Sequence, residues 1–309
     1  KPSVRYLTSY IKNNGIDTII TTSPPHSVHL IGYHLKKQFP NLKWISDFRD
    51  PWTTIGYYKD LLLTHWADKR QHYWEKEVLQ TADLVLVTSF KTQRDFKSLT
   101  NKQVEVITNG YDEEHNDTPP LSDKFLLSHI GSLLSDRNPK ILWEVLEELL
   151  IEEEGFKDDF QLCFAGKVSE EIEEELHQRG LTAYYKNMGY ITHMEAISLQ
   201  KQSQVLLLIE IDSEDTRGII AGKLFEYMVS GRPIIAMGPK EWDVIPILTE
   251  TQTGVFVDYN GKERLKTILK TYYKQYKEGL LKVTPIGIEH YSRRALTKRL
   301  AQLILNSKI

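Results

Sequence analysis

The sequence predicts an α/β protein made of two doubly wound parallel-sheet domains, the first of them incomplete. Three observations predict it. Short apolar, β-rich runs alternate with longer amphipathic segments almost throughout, the pattern of βαβ units with parallel strands and right-handed crossovers. The 309 residues exceed what one hydrophobic core organises, roughly 250 to 300. Residues 109–122 are rich in Asn, Asp, Gly, Pro and Ser, and they interrupt the alternation as a linker would.

Taken in order, the candidate strands before the interruption are residues 17–22, 43–48, 84–88 and 104–107. After it come 125–131, 160–165, 184–188, 205–209, 233–237 and 254–257. Helical patterns between them include 27–38, 65–80, 138–152, 170–179 and 222–230. A last helix over 290–305 gathers Leu296, Leu300, Leu303 and Ile304 on one face, with basic residues opposite. The expected division is 1–118 for the first domain and 119–288 for the second. Residues 289–309 are expected to form a separate C-terminal helix. A doubly wound half has about six strands, so four strands in the first domain imply that its opening strands are missing. The chain starts at Lys1 rather than Met, and a fragment or processed product is expected.

Bulk properties exclude several classes. A net charge of −3 gives no electrostatic reason to expect nucleic acid as a partner. The single cysteine, Cys163, rules out an intrachain disulfide, and its apolar neighbours Phe160, Leu162 and Phe164 mark it as a buried thiol. No apolar stretch reaches the roughly 18 to 20 residues a spanning helix needs, so the expected location is cytoplasmic. The aromatic and basic segment 66–79 offers a peripheral contact at the inner face of a membrane, with a solvated helix face as the competing reading. The acidic run 170–175 follows Ser169, a good N-cap, and reads as a helix first turn rather than a metal site.

Ligands of open parallel sheets sit beyond the carboxyl ends of strands. That rule selects five segments. Thr22-Ser23-Pro24-Pro25-His26-Ser27 follows a strand and opens a helix, where exposed amides could hold an anion or a sugar hydroxyl; Ser23 or Ser27 acting as a plain N-cap competes. Asp47-Phe48-Arg49-Asp50-Pro51-Trp52 places two carboxylates, a guanidinium and an indole together. Asp47 or Asp50 could act as acid or base, with a structural Asp–Arg brace as the alternative. Gly131-Ser132 followed by Arg137 suits the close approach of a phosphate to backbone and cation. Gly166-Lys167 permits similar approach. In the fifth segment, Lys223 and Glu226 stand three apart on a helix that ends at Gly231, with a strand following at once. A lysine there suits a diphosphate and a carboxylate suits ribose hydroxyls, against an ordinary surface salt bridge.

At this fifth segment the chain resembles the retaining GT-B glycosyltransferases of the GT4 kind, whose two domains are Rossmann-like. Glu226 matches the second glutamate of their Glu–seven residues–Glu motif, and residues 231–236 match the strand that follows. The first glutamate would fall at Gly218, a departure. A related subgroup reads Lys-Leu-Phe-Glu-Tyr, intact here at Lys223, Leu224, Phe225, Glu226 and Tyr227. Residues 22–27 and 47–52 resemble that subgroup's Ser-Pro-Pro-His and Asp-Phe-Arg-Asp-Pro-Trp segments, and Asn109-Gly110-Tyr111-Asp112 is similar to the turn closing the first domain. Arg137 matches a lysine that meets the diphosphate, and Ser132 stands where the family has arginine.

The resemblance implies a sugar transfer from a nucleoside-diphosphate sugar to a saccharide or lipid-linked acceptor in cell-surface polysaccharide synthesis, with retention and without metal or cofactor. Gly131, Ser132, Arg137, Gly166, Lys167, Lys223, Leu224 and Glu226 would hold the donor nucleotide. Asp47, Asp50 and His26 are the catalytic candidates, and Ser23, Arg49 and Trp52 the acceptor or sugar contacts. The missing opening implies impaired catalysis. Rival readings are a metal-dependent transferase using Asp212-Ser213-Glu214-Asp215, a GT-B epimerase or phosphorylase, and a non-enzymatic two-domain sugar-binding protein.

Overall fold

The computed structural model describes residues 1–112 and 119–306. The chain divides into two compact units, Lys1–Asn109 with the segment from Arg293, and Gly110–Ser292. The sequence reading placed these divisions after residues 118 and 288. Residues 113–118 of the expected linker and residues 307–309 of the expected last helix lie outside the described residues.

In the first unit the order is α1 (Pro2–Asn14), β1 (Thr18–Ser23), α2 (His29–Gln38), β2 (Lys43–Phe48), α3 (His65–Thr81), β3 (Leu84–Val87), α4 (Phe90–Leu99) and β4 (Gln103–Val106). The strands form one parallel sheet in the order β1-β2-β3-β4. Alternation along β2 explains its two faces: Trp44 and Phe48 point one way and Ile45 the other. Trp44 and Phe48 join Val85, Val87, Val104 and Val106 against Val78 and Leu79 of α3 and Phe96 of α4. The α3 helix starts where the Thr64 side chain accepts from the Ala67 amide, and α4 where Ser89 accepts from Thr92, as hydroxyl N-caps do.

Under the opposite face, Ile45, Leu84 and Leu86 pack on Leu300, Leu303 and Ile304 of the C-terminal helix. Lys43 donates to the Ile304 carbonyl. Edge residue Ile20 stays 51 % exposed. Gly32 of α2 lies flat on the Trp44 indole, and a Cβ there would sit 2.2 Å from Nε1. Gly32→Ala is therefore expected to cost about 1–3 kcal/mol by overpacking, read as a lowered thermal midpoint of the transition that reports the buried Trp44.

The second unit runs β5 (Phe125–Ile130), α5 (Lys140–Glu152), α6 (Phe156–Asp159), β6 (Phe160–Ala165), α7 (Glu170–Gln178), β7 (Tyr185–Asn187), α8 (His193–Gln202), β8 (Val205–Ile209), α9 (Lys223–Val229), β9 (Ile234–Met237), α10 (Val244–Thr251), β10 (Gly254–Val257) and α11 (Lys262–Lys277). The last helix, α12 (Arg293–Asn306), belongs to the first unit. Six strands form a parallel sheet in the order β10-β9-β8-β5-β6-β7. The chain thus winds outward from β5 through β6 and β7, then restarts beside β5 at β8 and winds the other way. This is the doubly wound order, and its topological switch point lies between β5 and β8. One face packs on Leu142, Trp143 and Leu146 of α5, Ile172 and Leu176 of α7, and Leu265 and Leu269 of α11. The other includes Cys163, buried as expected, against Leu199 of α8.

The ten strands coincide with the ten sequence candidates to within one residue at either end. One local detail differs. Ser169 stands at the N-cap of α7, but its hydroxyl makes no cap bond and is buried without a partner, so the three glutamates of that first turn supply the favourable end charge.

Candidate functional site

The carboxyl ends of the second unit's strands carry a compact polar cluster at the switch point. Beyond β5 the chain turns at Gly131, with φ +123°, and beyond β6 it turns at Gly166, with φ +129°. Both values belong to the region that glycine tolerates. The two turns are laced together. Gly131 donates to the Ala165 carbonyl (2.7 Å), Leu133 to the Lys167 carbonyl (2.8 Å), and Gly166 to the Gly189 carbonyl (2.7 Å). A Cβ on Gly166 would lie 2.6 Å from the Gly131 carbonyl oxygen, so the residue is glycine because backbone passes backbone.

Lys223 opens α9 against this turn. Its Nζ donates to the Ile130 carbonyl (3.0 Å) and to His129 Nε2 (3.3 Å), and a Cβ on Gly131 would meet it at 3.0 Å. His129 can accept because its Nδ1 donates to the Leu207 carbonyl (2.9 Å), and burial holds the ring neutral, well below the usual histidine pKa. Burial, then the nearby Arg137 guanidinium, bring Lys223 down to about 8, with Glu210 acting in the opposite sense. Tyr227, one turn along the same helix, accepts from the Ile130 amide (2.9 Å), fixing α9 to the end of β5.

Arg137 lies in the short turn Ser135–Arg137 and forms a two-point ion pair with Glu210, at 2.9 Å from Nε and 3.2 Å from NH2. Glu210 directly follows β8 and is only 3 % exposed. Glu226 is half-buried and accepts from Gln200 Nε2 (3.1 Å); it does not pair with Lys223. Ser132 and Lys167 are exposed on the two turns, and Leu224 is fully buried beneath α9. Gly131, Ser132, Arg137, Gly166, Lys167 and Lys223 are thus gathered around the ends of β5, β6 and β8. Asn138, beside Arg137, is spent on structure: it accepts from Trp143 Nε1 (2.7 Å) and donates to Glu175 (2.7 Å).

In the first unit the loops after β1 and β2 meet. Asp47 accepts from the Thr22 hydroxyl (2.7 Å), and burial raises its pKa, with the Thr22 bond and the Arg49 charge opposing. His26 Nε2 bonds the Asp50 carbonyl (3.0 Å) and stacks on Trp52 at 5.5 Å between ring centroids. Trp52 is fixed by donating to Gln71 (2.9 Å), and the following Thr53 is held by buried Glu75 through its amide (3.0 Å) and hydroxyl (2.6 Å). Arg49 is exposed and closes no ion pair with Asp47, so the Asp–Arg brace does not form. Ser23 and Ser27 cap nothing: the short helix here starts at Pro25 without a side-chain bond, and the Ser23 hydroxyl is buried and unpartnered. His29, one turn on, is held neutral by burial and by His26, with its pKa down to about 3, and it shares a 2.8 Å bond with Thr21. Next to His26 and Trp52 an open groove of about 550 Å³ is lined by Leu30, Tyr57, Trp66, Arg70 and Trp74.

Of the rival acidic segment, Glu214 is paired with Arg217 (3.1 Å). Among the described residues no three His, Cys, Asp or Glu side chains gather as a metal site requires. Sequence reasoning passes over Glu210 and His129, and it names Tyr227 only within the Lys-Leu-Phe-Glu-Tyr match. Glu210 has a readable signal, an acid terminating the apolar run Val205–Ile209; the contacts of His129 and Tyr227 are visible only once β5 and α9 adjoin.

No protein-family model matches the chain, and no curated protein matches it by sequence. Solved structures do. A glycosyltransferase from Rickettsia africae superposes with a TM-score of 0.70 at 16 % identity, covering 99 % of this chain and 81 % of that one. The lipopolysaccharide outer core galactosyltransferase WaaB, in its apo form, gives 0.66 at 16 % identity, covering 99 % and 79 %. The chain has the GT-B fold. HepE from Anabaena, solved with UDP and glucose, shares this GT-B architecture at a TM-score of 0.65 and 13 % identity, over 98 % of this chain and 81 % of that one. No helix among the described residues is long and apolar enough to cross a membrane.

Proposed function

We propose that the protein is a glycosyltransferase that moves a sugar from a nucleoside-diphosphate sugar to a hydroxyl of a saccharide or lipid-linked acceptor in cell-surface polysaccharide synthesis. The observation that carries this reading is the pair of cations, Arg137 and Lys223, set around the glycine turn at the β5/β8 switch point. That is where doubly wound sheets hold phosphorylated ligands. The fold adds support, since HepE was solved with UDP and glucose, and WaaB is named for lipopolysaccharide outer core synthesis.

In this reading the Gly131 and Ser132 backbone cradles the diphosphate, with Gly166 and Lys167 completing the turn pair. Lys223 and Arg137 neutralise the charge that grows on the departing diphosphate, the role a divalent metal takes in other transferases. Glu226 takes the ribose hydroxyls, with Gln200 orienting its carboxylate. Leu224 anchors the helix that presents both. The acceptor side is assigned to Ser23, His26, Asp47, Arg49, Asp50 and Trp52. Asp47 carries the raised pKa that an acid/base carboxyl needs, and Trp52 offers an indole next to the groove. The reaction proceeds with retention and without metal. The same groove gives an apolar aglycone a place beside the loop, consistent with a lipid-linked acceptor and a peripheral position at the inner membrane face.

The test is nucleoside-diphosphate release from UDP-, GDP- and ADP-sugars, with an alkyl glycoside as acceptor and EDTA present. Acceptor-dependent release that survives EDTA is expected with one donor. Release only on adding Mg²⁺ or Mn²⁺ would refute metal independence, and saturable donor binding with no release under any condition would favour a sugar-binding protein.

A further inference from the structure

Arg137 is not simply a surface cation near a turn. One edge of its guanidinium, Nε with one Nη, is taken by a single carboxylate, and that glutamate is almost wholly buried. Burying a carboxylate is costly unless it is paired and bonded. Here every contact serves to aim it. The Ile211 amide donates to Glu210 Oε1 (2.9 Å), and the Tyr259 hydroxyl donates to the Glu210 backbone carbonyl (2.9 Å). Arg137 itself stands on a three-residue turn, so little besides Glu210 fixes its long side chain. Lys223, the second cation, is held at the end of β5 and feels both charges.

We propose that Glu210 is the positioning residue of this subsite: it holds the Arg137 guanidinium at the glycine turn and balances the two cations while the diphosphate is absent. A bound diphosphate then meets cations already in place, and the carboxylate no longer has to offset them alone. Without Glu210, two cations would share a partly desolvated turn, and Arg137 would relax toward water. The inference rests on the diphosphate reading of this site.

The charged and titratable groups facing Lys223 are Arg137 from the short turn, Glu210 from the end of β8, and neutral His129 from β5. Tyr227, on the same helix as Lys223, is held to Ile130 with its hydroxyl pushed up by burial. The account therefore makes opposite demands on two variants. In Glu210→Gln the Lys223 ammonium loses its counter-charge and titrates at lower pH than in the native protein. In Arg137→Gln it loses the repelling charge and titrates at higher pH.

The experiment follows the Cε signal of Lys223 by NMR in the full chain labelled with [¹³Cε]lysine, assigned by Lys223→Arg, from pH 6 to 11. Shifts of half a unit or more in opposite directions are expected; unchanged midpoints in both, or shifts of the same sign, overturn the role of Glu210. If Glu210→Gln does not fold, an Arg137→Gln midpoint that fails to rise overturns it equally. A parallel titration with UDP, GDP and ADP reads the diphosphate assignment separately. Native protein that binds none of them defeats that assignment while leaving the two midpoints measurable.

Discussion

Replacing Lys223 by alanine is expected to weaken nucleoside-diphosphate binding by about a hundredfold, some 2.7 kcal/mol, measured by calorimetry near pH 7. The size follows from its place. Its ammonium is half-buried against the Ile130 carbonyl and the glycine turn, where a charge-assisted bond to phosphate is poorly screened. The variant should still fold, because the aliphatic stem lies at the start of α9 while Leu224, Phe225, Tyr227 and Met228 keep the helix buried.

The same residue sets a pH dependence with a definite sign. In the ligand-free protein Lys223 titrates at about 8, below the ordinary lysine value of 10.5. A bound diphosphate favours the ammonium and raises that pKa. Affinity is then flat between the diphosphate's own last ionisation and pH 8. Above pH 8 binding requires proton uptake, and affinity falls toward tenfold per pH unit. Lys223→Arg, which stays charged, should remain flat through pH 9. The sign for stability is the reverse. A folded-state pKa depressed below the unfolded one means that the charged lysine costs stability at low pH, and the cost is relieved as pH rises from 8 toward 10.5.

The second large effect is expected at Gly166. Alanine there meets two obstacles at once, a φ of +129° and a carbonyl oxygen 2.6 Å from its Cβ. Because the neighbour is backbone, relief requires the Gly131 turn to move, and strain plus overpacking sum to about 3 kcal/mol or more. Thermal unfolding followed by circular dichroism should show a large drop in midpoint, together with loss of nucleotide binding. Gly180→Ala supplies the control. Gly180 also has a positive φ, +69°, but nothing lies within 4 Å of its would-be Cβ. It should cost only about 1 kcal/mol and leave binding intact. Equal losses at both positions would mean that backbone strain alone, not the contact between turns, governs Gly166.

How much of this was legible in the sequence depends on the range of the interaction. The strand Val205–Ile209 declares itself, because a strand buried on both faces is a continuous apolar run. Helix α4 offers little apolar stripe over its ten polar-rich residues, whereas α11 carries one, Leu265, Ile268, Leu269, Tyr272 and Tyr273, spaced out among lysines. The turn glycines could be picked out by position, yet the reason for Gly166 is a carbonyl thirty-five positions earlier in the chain. The three-residue spacing of Lys223 and Glu226 implies one helical face. What spacing could not reveal is that Lys223 turns to Ile130 while Glu226 turns to Gln200. Likewise the sequence offers Arg137 by its charge alone, and its buried counter-ion Glu210 lies on a different strand end.

The central claim is that the second unit's switch point receives a nucleoside diphosphate, and locating the bound nucleotide tests it most directly. A crystal structure of the protein with whichever of UDP, GDP or ADP binds best should place the phosphates within hydrogen-bonding distance of the Gly131–Ser132 backbone and Lys223 Nζ. The ribose should lie against Glu226. Phosphates bound instead at the first unit's 23–27 turn, with Lys223 still bonded only to Ile130 and His129, would contradict the account.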